Sequence, residues 1–278
     1  MYFTPCMPDP IHRILQHPIP SPYTIIRYLK LFPPSNPVYI HLARSISNSF
    51  TDADLFKLIW VRPNEIQFCS PRFGAKWDLV GQVVDGQWDQ NVERYEDASF
   101  IRGVDASFHR SLEMHFVEDV QWEDTPFIQQ VLENVNRGTA TWTCSNRRDV
   151  EEKCARVDRL YKRIEKHGYL TQDQRRQAGI HDLKQSRQSK IYRWLKEYTV
   201  VGKDEVTVNI GRNGTLLRFS GKHRLSIAKI LELDTIPVLV LARHRGWQQI
   251  RDTVKNSDVP VFPEFREHPD LQDLIGSD

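Results

Sequence analysis

The sequence has no apolar run approaching the ~18–20 residues that span a bilayer, so no membrane protein is expected. Its opening, MYFTPCMPDP, has neither a basic start nor an apolar middle, so no secretory signal is expected and the cytoplasm is the expected compartment. Cysteine is scarce: Cys6, Cys69, Cys144 and Cys154 are all there are, and no two form a CxxC pair. Neither a zinc knuckle nor a redox dithiol is signalled, and buried free thiols are the expectation. An excess of one charge is missing too. Thirty-eight Lys+Arg face 36 Asp+Glu, a net charge of +2, too balanced to argue for nucleic-acid binding from charge alone. No internal repeat is visible. What is present, 278 residues with 40% hydrophobic and 27% charged, is ordinary for one large globular domain or two small ones.

Proline divides the chain unevenly. Eight of the sixteen fall in the first 34 residues, which excludes a long helix or a central strand there and predicts an irregular arm over residues 1–54. Residues 55–92 carry short apolar pieces. LIWVRPNEIQF (58–68) reads as a strand, a turn and a second strand or edge, and WDLVGQVVDGQWD (77–89) as a hairpin or tight loop around Asp85-Gly86. From 93 to 200 the apolar spacing turns helical, with Val117, Val120, Phe127, Val131, Leu132 and Val135, then Val157, Leu160, Tyr161 and Ile164. Gly138 and Gly168 stand where helices would stop, and Asp124-Thr125-Pro126 where one would start. Residues 172–196 are polar and basic and predict one or two exposed helices.

Residues 201–248 are the most legible. EVTVNIGR (205–212) alternates as a strand does, Asn213-Gly214 is a type I′ turn signal, and LLRFS (216–220) is the return strand. Residues 221–233 place Leu225, Ile227, Ala228, Ile230 and Leu231 on a helical face, and IPVLVLA (236–242) is a buried strand. Residues 249–278 form a polar tail with no assignment. At the strand–helix junction stands Ser220-Gly221-Lys222-His223-Arg224. Unpaired amides and the helix dipole favour an anion there, and glycine lets a phosphate approach the backbone. Three basic side chains in a first helical turn conflict with the dipole, and an anionic ligand removes the conflict. A solvated basic turn balanced by Asp204 or Glu205 is the alternative.

Gly-x-His-Arg followed by Ile-Pro-Val resembles the core of the ParB/sulfiredoxin-like superfamily over residues 206–242. The resemblance implies an α+β fold: a small mixed sheet with a large helical insertion and a proline-rich N-terminal arm. It implies a phosphate cradle at Gly221, Lys222, His223 and Arg224. Lys222 occupies the place of the sulfiredoxin cysteine, so that activity is not implied. The Gly-Glu-Arg-Arg loop and the Glu-Asn-x-x-Arg motif of partition proteins are absent, as is a helix-turn-helix.

Around the cradle, Glu205 is the candidate carboxylate for Mg²⁺ or for a hydroxyl proton, and His223 the candidate acid/base. Arg243 and His244 follow the last core strand, where strand ends line the ligand crevice of open α/β sheets. Trp247 either stacks on a base or packs on the sheet. His109, Glu113 and His115 read as a polar helix face and Asp89 or Asp124 as an outlying carboxylate. The expected function is a nucleotide-dependent phosphotransferase or nucleotide hydrolase, using a nucleoside tri- or diphosphate with Mg²⁺ and an acceptor of unknown identity. The alternative is a ParB-like DNA-binding or DNA-nicking protein, for which the basic segment 172–196 argues. A non-catalytic module that binds a phosphorylated ligand is the third reading.

Overall fold

The computed structural model describes residues 50–54, 58–73, 79–177, 205–257 and 262–275. The chain divides into two compact units, Met1–Phe50 with Gln188–Val201, and Thr51–Arg187 with Gly202–Asp278. Everything below concerns the second. The proline-rich arm, nearly all of the basic segment 172–196, and Asp204 lie outside the described residues.

The fold is α+β, built on one mixed sheet of six strands. The strands are β1 (Leu58–Val61), β2 (Phe68–Cys69), β3 (Gln82–Val84), β4 (Val206–Ile210), β5 (Leu216–Ser220) and β6 (Ile236–His244). Their order is β1-β6-β4-β5-β2, with β3 also on β6. β6 is buried along its whole length, as its unbroken apolar run predicts for a strand covered on both faces. It runs parallel to β4 and β3 and antiparallel to β1. The sequence placed β1 and β2 on either side of a turn, and that turn exists as a 3-10 helix, Pro63–Glu65. The two strands do not pair with each other, however: β1 joins β6 and β2 joins β5, at opposite sides of the sheet. Of the hairpin or tight loop expected around Asp85-Gly86, the structure has the loop, because the partner of β3 is β6.

The β4–β5 connection also differs from a two-residue type I′ turn, which needs positive φ at both central residues. Only Gly214 has it (φ 84°), and the turn is closed by the Gly214 amide on the Gly211 carbonyl at 3.0 Å. The reason for glycine is space as well as φ: a Cβ on Gly214 would lie 2.8 Å from the Trp247 ring.

Between β3 and β4 come α1 (Phe108–Phe116), α2 (Pro126–Asn136), α3 (Arg147–His167) and α4 (Gln172–Gln177). Pro126 opens α2 after Thr125, and Gly168 (φ 71°) ends α3, both as the sequence predicts. Val150, Cys154, Val157, Tyr161 and Ile164 repeat at alternating four- and three-residue steps along α3 and make one apolar stripe. With Phe108, Leu112, Phe127, Ile128, Val131 and Trp142 they form the core of a helical layer. Phe127 is fully buried there, whereas Trp122, Leu160 and Tyr161, also expected inside, are only partly buried at its edge. Cys69, Cys144 and Cys154 are buried free thiols.

α5 (Lys222–Ile230) lies between the two layers. Leu225 and Ala228 pack with Val206, Val208, Val238 and Val240 of the sheet. Ile227 belongs instead to the helical cluster. His223 is one turn before Ile227, so the same helix face carries it into the helical layer. α6 (Arg245–Asn256) and α7 (Gln272–Ile275) complete the described chain. No helix among the described residues is long and apolar enough to cross a membrane.

Candidate anion site

Gly221 is the N-cap of α5 and is left-handed, at φ 91° and ψ 27°. A Cβ there would lie 2.8 Å from the Val206 Cα, a backbone atom that cannot move aside. The glycine is therefore required both by φ and by the close approach of β4. No side chain caps the helix, so its first-turn amides stay available to an anion. Tyr95 fixes the loop from below: its hydroxyl donates to the Lys222 carbonyl at 2.9 Å and lies 2.8 Å from the Ser226 hydroxyl.

The Lys222 side chain enters a nest of aromatic rings. Its ammonium is 4.3 Å from the ring centre of Phe108, 5.6 Å from Phe100 and from Phe127, and 6.0 Å from Trp142. It is out of contact with solvent and has no hydrogen-bond partner. Burial first, then the charges of Arg218, Lys153 and Arg72, bring Lys222 down to about 7. No carboxylate is among the groups that shift it. Arg218 reaches the same place from β5. It is 7% exposed, its guanidinium lies 4.0 Å from the Phe100 ring centre, and its Nε has no partner. Lys153 comes from α3, 4.5 Å from the Trp142 ring centre and 2.7 Å from the Thr143 hydroxyl. Arg72 stands on the exposed stretch after β2.

Three strained residues frame this cluster. Phe100 (φ 62°) and Trp142 (φ 54°) are left-handed although bulky, and Thr143 (φ 61°) is left-handed although β-branched. Trp142 and Thr143 form the centre of a tight turn in which Thr141 and Cys144 exchange backbone hydrogen bonds of 2.9 and 3.0 Å. Each such residue costs about 1–3 kcal/mol and persists only where its surroundings hold it, a cost that gathers at functional sites.

The remaining residues expected at the site are divided by the structure. His223 lies between Phe108, edge-on at 5.0 Å, and Trp142, stacked at 6.0 Å. Burial, with Lys222, Lys153, Arg218 and Arg156 around it, brings its imidazole down to about 3. It is neutral at any physiological pH and poorly matched to acid/base work. Arg224 and Glu205, both expected to serve a nucleotide, lie 3.5 Å apart as an ion pair, with Glu205 only 2% exposed.

Arg243 and His244 are not at the cradle. β4 runs antiparallel to β5, so the loop after β5 lies at the Val206 end of β4. β6 runs parallel to β4 and brings Arg243 beside Ile210 at the other end, four residue steps or about 13 Å away. The rule that strand C-termini line one crevice holds for parallel sheets, and β5 breaks it here. Arg243 bonds Asp270, and His244 bonds the Gly86 carbonyl at 2.9 Å. Trp247 packs, fully buried. Asp89, one of the outlying carboxylates, grips Arg212. His109, Glu113 and His115 lie on α1, and no group of three metal-ligating side chains exists among the described residues.

Sequence reasoning missed Arg218, whose signal was present: the alternation of LLRFS puts it on the same side as the core residue Leu216. Phe100, Trp142 and Lys153 gave no such signal, because tertiary packing alone brings them to the loop. No family model, curated protein or solved structure matches the chain.

Proposed function

We propose that the chain carries a ParB/sulfiredoxin-like core, residues 55–92 and 201–248 with the helical segment inserted, and that it is a nucleotide-dependent phosphotransferase or nucleotide hydrolase. The phosphate chain lies on the Gly221 loop, held by the α5 amides, Lys222, Arg218, Lys153 and Arg72. The helical layer supplies the acceptor side. The observation that carries the reading is the convergence of these basic groups on an uncapped helix N-terminus with no carboxylate among the charges that shift Lys222. Buried charges are ordinarily paired, and two cations with unpartnered nitrogens at one helix start await an anion. Glu205 and His223 serve the loop as supports, the first by holding Arg224 and the second by packing on Trp142. Among the described residues Mg²⁺ has no dedicated cage at the loop, since Glu205 is engaged by Arg224, and it would travel on the nucleotide's phosphates.

Thermal unfolding with ATP, ADP, CTP or GTP, each with and without Mg²⁺, tests this. A nucleotide at a hundred times its Kd contributes about 2.7 kcal/mol and raises the melting temperature by several degrees. The reading fails if neither any nucleotide nor inorganic tripolyphosphate shifts the midpoint at low salt.

A further inference from the structure

The Lys222 amine occupies an unusual position for a phosphate ligand. It is shielded from water, enclosed by four aromatic rings, and without an acceptor. Every charge that bears on it is positive: Arg218 from β5, Lys153 from α3 and Arg72 from the stretch after β2. From α1 and α2 it meets only the rings of Phe108 and Phe127, and its sequence neighbour His223 is neutral. Tyr95, beneath the loop, is held far above neutrality by burial and is uncharged. Among the described residues the ring faces attract an ammonium here, but no carboxylate compensates its charge.

Resting on the nucleotide reading above, we propose that the loop takes a ligand with several phosphate charges, a di- or triphosphate chain, and that the complex takes up one proton, which resides on Lys222. The number of charges argues for a chain over a single phosphate. Arg72, Lys153, Arg218 and a protonated Lys222 are four cations, and the helix N-terminus adds to them. A monophosphate leaves most of this uncompensated, whereas a triphosphate matches it. At an effective dielectric of about 20, one phosphate charge near an ammonium is worth about two pKa units or more. Such a ligand lifts Lys222 from about 7 to well above 8, so that it is half-charged at neutrality when free and fully charged when bound.

The sign follows by linkage. The complex holds more protons than the free protein, so affinity falls as pH rises above about 7, by up to tenfold per pH unit until the bound amine titrates. Deprotonation of the ligand works in the opposite direction, strengthening its attraction to the site, and cannot imitate this fall. Arginines do not titrate in the range.

Calorimetric titration of the full chain with inorganic tripolyphosphate at pH 8, in two buffers of different ionisation enthalpy, counts the protons. Wild type is expected to take up close to one proton more than Lys222→Arg, which stays charged in both states. Equal uptake by the two proteins overturns the proposal and leaves the polyanion reading standing. If wild type does not bind tripolyphosphate at all at low salt, the polyanion reading falls and this proposal with it. Should Lys222→Arg fail to fold or bind, the wild-type affinity measured from pH 7 to 9 decides. Once the ligand's own deprotonation, titrated separately, is subtracted, a fall toward tenfold per unit supports the proposal, and a flat or rising profile overturns it.

Discussion

His223 illustrates how a residue chosen for its chemistry is used for its shape. Its ring fills the space between Phe108 and Trp142, and four cations surround it, so the folded protein keeps it neutral down to about pH 3. The unfolded chain protonates the same ring near 6.5. Between those two values the unfolded state binds more protons, so stability falls as pH falls through the window, by at most about 1.4 kcal/mol per unit from this group. His109 and His268 are lowered by burial as well and act in the same direction. Denaturant midpoints at pH 7.5, 6 and 5 are therefore expected to decline steadily in wild type. In His223→Phe, which keeps a ring in the slot, the decline is expected to be shallower. Parallel pH profiles for the two proteins would show that His223 is not held neutral by the fold.

At the scale of elements, β4, β5, α5 and β6 were legible because each has its own period and its own punctuation. Alternation, a glycine turn, a glycine cap and a β-branched run occur in order within about forty residues. β1, β2 and β3 were legible only as short apolar pieces. A strand of two to four residues has too few positions to declare a partner, and their partners lie more than a hundred residues away. The Trp142-Thr143 turn was invisible because it uses residues that a turn of positive φ disfavours. The helix start at Gly221 was legible, but where each of its side chains turns was not, because that depends on what packs against each side of α5. Lys222 turns to the aromatic nest, while Arg224 turns to Glu205 beneath the Tyr169 ring. Arg224→Ala is accordingly expected to lower the melting temperature, since it removes the arginine that pairs with the buried Glu205, at a cost of up to about 3 kcal/mol. Tripolyphosphate affinity is expected to stay within about threefold, under 1 kcal/mol. A stable variant that has lost binding would move Arg224 into the cradle and Glu205 out of its role.

At the scale of the whole described unit, the proposed anion site is carried by one end of the sheet and the fold is fastened at the other. The tail, which the sequence left unassigned, supplies the fastening. Asp270 is 3% exposed and takes Arg243 Nε at 2.9 Å and the Trp247 indole at 2.8 Å, while its backbone carbonyl accepts from Arg251. Arg251 is itself fully buried and extends the network to Asp273 at 3.0 Å and Asp52 at 3.2 Å. Three distant stretches, 51–54, β6 with α6, and 262–275, are joined by this knot of charge. Burial alone would raise Asp52 and Asp270, but the arginine bonds outweigh it, bringing Asp52 to about 2 and holding Asp270 below the usual carboxylate range. Their contribution is complete above the unfolded value near 3.9 and is lost as pH falls through the folded values. Asp270→Ala leaves Arg243 charged, buried and without its carboxylate, and a cost of about 3–5 kcal/mol is expected. Adding Arg243→Met removes the stranded charge, so the double variant is expected to be more stable than Asp270→Ala alone, although the second substitution also deletes a native side chain. Urea unfolding of wild type, both single variants and the double gives the coupling energy directly. A double variant whose loss equals the sum of the two singles would mean that Arg243 and Asp270 act independently and that the tail is held by its apolar contacts instead.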